Sequence, residues 1–350
     1  MAKSDLIKNI YHMLAYSFRV LKQSNYSKVA TEDFENIHSL LAEILSKGVS
    51  QQLKQGLYRE YIDKNDDLNT LRGKLKLTGT IKNKIQNKML LSCEFDELSE
   101  NNIYNQILKL TLSKLVSNAN VKKEQKAQLK KLLLFFNNVA DISESAINWS
   151  TFRFQRNNQT YKMLMNVCYL VLDGLIQTEQ DGKYQIAKFI DDQHMHALYE
   201  NFIREYYRHH YKNVLDVSAS HVEWDIDKNS EGIELLPKMK TDITLREKHS
   251  DKVLIIDAKY YSRTMQHNLG STTFHSANMY QIYAYVKNLD KNNTGNVSGM
   301  LLYAHTNEEK QPDNEYIIGG NKISLKTLNL NCDFEIIKNQ LDSIAESFLY

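Results

Sequence analysis

The period of the apolar positions changes three times along the chain. Ile7, Ile10, Tyr11, Leu14, Phe18 and Leu21 share one helical stripe, and Ile37, Leu40, Leu41, Ile44, Leu45 and Val49 repeat it in a second helix ending near Gly56. From Leu57 to Leu98 the spacing shortens. Residues 57–61, 72–80 and 89–95 read as short strands or extended arms separated by turns rich in Lys, Asn and Asp. These arms are too polar to bury both faces, so they are expected to project from a helical body. Helices resume with Ile103, Ile107, Leu110, Leu112 and Leu115, then a lysine-rich helix over 122–136. A further helix over 160–175 is apolar almost all round. The polar stretch 141–150 sets a boundary near residue 155, giving domains of 1–155, with arms at about 57–98, and 156–350.

The second half alternates helix and strand. A helix is predicted over 194–211, then strands at 222–226, 239–246 and 253–260 and a polar loop over 262–275. A helix with Ser276 as N-cap follows, then a strand at 297–304. Two short strands near 316–318 and 322–325 lead to a last helix over 333–349. The class is α/β (α+β): three strands form an antiparallel meander, and a crossover helix lays a fourth beside the third.

The chemistry gathers between Met239 and Tyr261. Met239, Thr241, Ile243 and Leu245 alternate with Lys240, Asp242, Thr244 and Arg246, while Val253–Ile256 closes in Asp257-Ala258-Lys259. Asp257 and Lys259, two apart on a strand, point to the same face. A hairpin centred between His249 and Ser250 sets Asp242 opposite Asp257, with Cβ atoms roughly 4.5–5.5 Å apart. Two carboxylates so close repel unless a cation lies between them. A divalent cation such as Mg²⁺ fits, held by Asp242, Asp257 and the main-chain carbonyl of Ala258, with Lys259 orienting the attacking water. Such a site hydrolyses phosphodiesters. Glu200 on the preceding helix is a candidate third carboxylate, and Arg263 and His275 are candidate DNA phosphate contacts. The alternative is an edge ion pair on a solvated strand end. Acid-x-Lys also occurs at Glu124, Asp181 and Glu308, but none of these closes an apolar strand. The Glu223, Asp225 and Asp227 cluster has no facing aspartate and reads as the outer face of the first strand.

Composition narrows the setting. The net charge of +2 offers no global polycation, so contact with nucleic acid must come from local clusters of the 44 basic residues. The lysine-rich helix is one such cluster, or a solvated face. Three separated cysteines without a CxxC pair exclude a zinc ribbon and fit a reducing cytoplasm. No apolar run reaches membrane-spanning length, and the first 18 residues read as an amphipathic helix rather than a signal peptide. The sequence contains no GxxxxGK[ST] segment for a nucleotide.

The acidic pair on neighbouring strands resembles the PD-(D/E)xK nuclease core. Further stretches carry a closer likeness: Asn9–Tyr16, Arg72-Gly73-Lys74, Leu236–Thr244 and Ile255–Tyr261, together with Phe274–Gln281. With these the whole chain resembles the McrC family, nuclease subunits of McrBC modification-dependent restriction systems. It departs from the motif in having Thr241, not proline, before Asp242. The resemblance implies a Gln281–Tyr285 pair near the metal and DNA cutting only with McrB, an AAA+ GTPase ring that binds GTP and reads methylated cytosine. It also implies docking through the N-terminal region, with Arg72 and Lys74 as contacts. Two other readings remain open: a non-catalytic assembly factor of an AAA+ NTPase, and a stand-alone Mg²⁺ endonuclease. No small-molecule substrate or membrane partner is expected.

Overall fold

The computed structural model describes residues 2–18, 21, 29, 34, 36–152, 154, 158–181, 193–227, 229–261, 264–268 and 271–350. In chain order, the elements used below begin with helix α1 (Ala2–Ser17) and α2 (Ile37–Leu53). Strands β1 (Glu60–Leu68) and β2 (Lys74–Leu75), helix α3 (Leu77–Ile85) and strand β3 (Leu91–Ser99) form the arms. Helices α4 (Ile103–Ser117), α5 (Lys123–Leu133), α6 (Gln159–Asp181) and α7 (Gln193–His210) follow. The remainder is β4 (Leu215–Ser218), β5 (His221–Val222), β6 (Met239–Lys240), β7 (Ile243–Glu247), β8 (Val253–Lys259), β9 (Met265–Asn268) and β10 (Ser271–Phe274), then α8 (Ser276–Leu289), β11 (Val297–Ala304), β12 (Asn314–Ile318), β13 (Asn321–Leu328) and α9 (Phe334–Leu349).

Two compact units result: residues 38–173, and residues 1–37 together with 174–350. This departs from the linear division at residue 155, and the reason is α1. Its apolar stripe packs on α7, and its Asn9 amide donates 2.8 Å bonds to the carbonyls of Leu330 and Cys332. Tyr16 Oη lies 2.8 Å from His210 Nε2, and the Tyr16 ring meets Phe202, Tyr206 and Phe334. The first helix is therefore part of the C-terminal unit.

In the 38–173 unit, buried apolar faces of α2, α4, α5 and the first part of α6 enclose a helical core. The arms leave it at a polar anchor: Tyr161 Oη donates to Asn105 Oδ1 (2.7 Å) and accepts the Tyr58 N–H (2.8 Å). β1 and β3 pair antiparallel over nine residues, from Glu60↔Ser99 to Leu68↔Leu91. Residues 63–68, expected as a turn, are thus strand. Cross-strand partners such as Lys64 and Glu97 (2.8 Å) support a ribbon that buries little. Residues 77–80, expected as extended, open α3 instead. At Gly73 (φ +67°) a Cβ would lie 2.4 Å from the Glu94 carbonyl oxygen, so only glycine lets the chain pass β3 there.

In the other unit a six-stranded mixed sheet has the order β12-β13-β11-β8-β7-β4. β4, β7 and β8 are the antiparallel meander, and α8 crosses over to deliver β11 parallel to β8. The first strand is Leu215–Ser218 rather than 222–226, because Val217 and its neighbours find partners along β7. The predicted strand 239–246 is broken at Thr241-Asp242, and its first piece pairs with β5. The polar loop 262–275 contains the β9–β10 hairpin. His275, not Ser276, occupies the N-cap of α8, without a side-chain capping bond. α8 sits close on β11: a Cβ at Gly299 would lie 2.7 Å from Ile282 Cγ1.

Candidate active site

β8 is buried along its whole length, charged end included. Its odd-numbered residues face α8, where Val253 and Ile255 join Ile282 and Val286 in the core. Asp257 and Lys259 continue that face, at 1% and 8% exposure. Strand alternation therefore carries an acid and an amine into a dry environment, where they pair at 2.6 Å. Apart from that ion pair, Asp257 Oδ2 has no hydrogen-bond donor among the described residues, and it is sealed from solvent.

The hairpin register predicted from the sequence is the one observed, with Ile243 opposite Ile256. One position further out the ladder stops and the chain bends at Asp242. Thr241 makes the bend: its N–H donates to the Ser220 carbonyl (2.9 Å) and its hydroxyl lies 2.8 Å from that of Thr244. Asp242, released from the ladder, turns its Oδ2 to the Ala258 N–H at 2.9 Å. The N–H and C=O of one strand residue leave by the same edge, so the Ala258 carbonyl opens toward the Asp242 side.

Burial pushes the Asp242 carboxyl up to about 8, with the Asp257 and Glu200 charges adding to it and the Ala258 N–H and Lys259 opposing. The two aspartates thus share one electrostatic environment. Glu200, on α7, also titrates above its ordinary value, first from burial and then from Asp257, with Arg204 and Lys259 opposing. Burial works against charge on Lys259, yet Asp257 outweighs it and holds the amine above its usual value.

On α8, Gln281 and Tyr285 extend the pair. Lys259 Nζ donates to Gln281 Oε1 (3.1 Å), and Gln281 Nε2 donates to Tyr285 Oη (2.9 Å). The His275 ring lies 5.7 Å from that of Tyr261, and its Nε2 is buried without a partner among the described residues rather than turned to solvent. Arg263 lies outside the described residues. Arg204, which sequence reasoning missed, donates from Nη1 to the Asp242 carbonyl at 3.1 Å. Its signal was available: it follows Glu200 by four residues and so shares its helix face. The Glu223, Asp225 and Asp227 stretch stays apart, with Asp225 forming an exposed pair with Lys291 at 3.8 Å.

The donors suit a hard cation. One buried carboxylate (Asp257), one half-buried carboxylate (Asp242) and a carbonyl supply oxygen alone, and one amine leaves acidic charge uncompensated. Among the described residues no three His, Cys, Asp or Glu side chains converge as a metal-binding group, so Glu200 does not join the two aspartates as a third ligand there.

An antiparallel three-strand meander, a crossover helix and an Asp/Asp-x-Lys site at the strand ends define a restriction-endonuclease-like core. Residues 3–304 match the family described as McrBC 5-methylcytosine restriction system component, and the chain belongs to that family. Over 345 residues it is 28% identical to the type IV methyl-directed restriction enzyme EcoKMcrBC of Escherichia coli (strain K12), covering 98% of each chain. Its fold is similar to a chain in the refined half-complex from a tetradecameric assembly of Thermococcus gammatolerans McrB AAA+ hexamers with bound McrC. That match has a TM-score of 0.50 at 16% identity, covering 97% of this chain and 75% of that one.

Proposed function

We propose that this chain is the DNA-cutting subunit of a GTP-driven, modified-cytosine-directed restriction complex of the cytoplasm. The observation that carries it is the convergence of Asp242, Asp257 and Lys259 in a buried, acid-rich site on an endonuclease-like sheet. Asp242, Asp257 and the Ala258 carbonyl would hold Mg²⁺, with Glu200 adding negative charge behind them. When bound, the cation supplies Lewis acidity to the phosphodiester and makes a water acidic enough to attack. Lys259, held by Asp257 and Gln281, presents an ammonium that orients that water and offsets charge growing on the phosphoryl oxygens. Tyr285 fixes the Gln281 amide so that its oxygen faces the amine.

A partner would bind GTP and read the modified base. An AAA+ ring of the McrB kind fits, because the arms carry an unspent docking surface. On α3, Leu77, Ile81 and Ile85 recur every four residues and are 68%, 56% and 78% exposed, with Met89 beyond them at 97%. The guanidinium of Arg72 stacks 4.1 Å above the Phe95 ring, which stiffens the arm beside this stripe, and Lys74 is exposed on β2.

The test is separation of activities in the complex with its ring partner. Lys259→Ala and Asp257→Ala should each lower Mg²⁺-dependent cleavage by at least about a hundredfold while stimulation of the partner's GTPase persists. Full cleavage by both variants overturns the proposal, and cleavage by this chain alone without GTP would assign it to the stand-alone class.

A further inference from the structure

We infer that Arg204 is a positioning residue for the cation site, fixing the Asp242 main chain where the sheet no longer does so. This role rests on the nuclease reading of Asp242 and Asp257. Regular pairing between β7 and β8 ends at Ile243↔Ile256, so neither polar main-chain group of Asp242 belongs to that ladder. A buried carbonyl without a donor is costly, and one facing water would let the bend drift. Arg204 Nη1 takes that carbonyl at 3.1 Å from the opposite element, α7. The second arm of the guanidinium is held by Asn201 Oδ1, one turn back on the same helix.

Asp242 is thereby fixed at three points. Ser220 accepts the N–H of the preceding Thr241, Ala258 donates to the carboxylate, and Arg204 holds the carbonyl. The first comes from Ser220, in the turn between β4 and β5, and the second from β8. Among these three, Arg204 ties the bend to α7, the helix that bears Glu200. Its cation also faces Glu200 and offsets the charge of that carboxylate. A fork-shaped cation suits both tasks: one nitrogen grips the carbonyl, and delocalised charge reaches the acidic cluster. Arg204 acts through Asp242, because the bond it makes there is to the main-chain carbonyl and not to the carboxylate.

The measurement is binding of Mn²⁺ alone to the purified full chain, followed by electron paramagnetic resonance without DNA, for wild type, Arg204→Ala, Arg204→Gln and Arg204→Lys. Supporting partners of metal ligands are typically worth roughly 10–100-fold in affinity. Arg204→Ala should therefore weaken Mn²⁺ binding about tenfold or more and shift the Mg²⁺ dependence of cleavage by the same factor. Arg204→Lys, which keeps one donor and the charge but not the fork, should recover part of the loss. If the alanine variant does not fold, Arg204→Gln gives the same comparison with the stem retained. Wild type that binds with every folded variant binding equally overturns the role of Arg204 and leaves the nuclease reading standing. Wild type that binds no Mn²⁺ overturns the reading itself, and this role with it.

Discussion

Replacing Asp242 with asparagine should stabilise the metal-free protein while destroying the site. In the unfolded chain an aspartate titrates near its ordinary 3.8, whereas in the folded site burial and the Asp257 and Glu200 charges hold Asp242 protonated up to about 8. Folding at pH 7 without a cation therefore takes up a proton. At 1.36 kcal/mol per pH unit between 3.8 and 7 the cost is about 4 kcal/mol at most. The sign follows from proton counting: between about 4 and 8 the folded state binds more protons, so stability falls as pH rises through that window. An asparagine at this position would still accept the Ala258 N–H through its side-chain oxygen, but it carries no charge to suppress. Thermal melts in EDTA at pH 5, 7 and 8 read the effect. Each kcal/mol is worth roughly 2–4 °C, so Asp242→Asn should melt several degrees higher at pH 7 and above, with the difference shrinking toward pH 5. Added Mg²⁺ should raise the wild-type midpoint and leave the variant unmoved. A variant equally stable or less stable in EDTA at pH 8 would refute the reasoning.

Two other perturbations probe regions away from the sheet. Ile81→Glu puts a charge in the middle of the exposed α3 stripe, so it should abolish stimulation of the partner's GTPase in the assembled complex with no change in the melting of this chain; undiminished stimulation would remove α3 from docking. His12 stacks on Phe334 with ring centroids 4.0 Å apart, and burial lowers it to about 4, with Lys8 and Lys338 assisting and Asp333 and Glu335 opposing. Its folded value lies below its unfolded one, so the stability it contributes is full above pH 6.5 and is lost as pH falls toward 4. Chemical denaturation of wild type and His12→Phe should diverge by about 3 kcal/mol across that window, and parallel curves would contradict the assignment.

The strand register beside the candidate site is legible because it is local. Apolar alternation on two strands and a charged turn between them are enough to fix a register, which holds as far as Ile243 opposite Ile256, although Asp242 itself leaves the ladder. What escaped was made by distant residues. Nothing in Met239–Arg246 marks a break, since Thr241 and Asp242 keep the alternation; the break comes from Ser220 and the Thr241–Thr244 hydroxyl contact. Glu223–Asp227 alternates more strongly than Leu215–Ser218 and so points the first strand to 222–226, whereas pairing along β7 decides in favour of the shorter segment. Residues 63–68 form strand despite five charged or amide side chains in Asp63–Asp67, because β3 supplies backbone partners along the whole of β1. The stripe of α1 announces a helix, but a stripe does not name what it packs against, and the packing groups residues 1–37 with 174–350.

If one divalent cation binds between the side chains of Asp242 and Asp257, crystals of the full chain soaked in Mn²⁺ and measured at the manganese absorption edge will reveal it directly. The expected result is an anomalous peak bridging the two carboxylates on the Ala258 carbonyl side. Saturating Mn²⁺ with peaks elsewhere and none between these aspartates would contradict the cation site and the nuclease built on it.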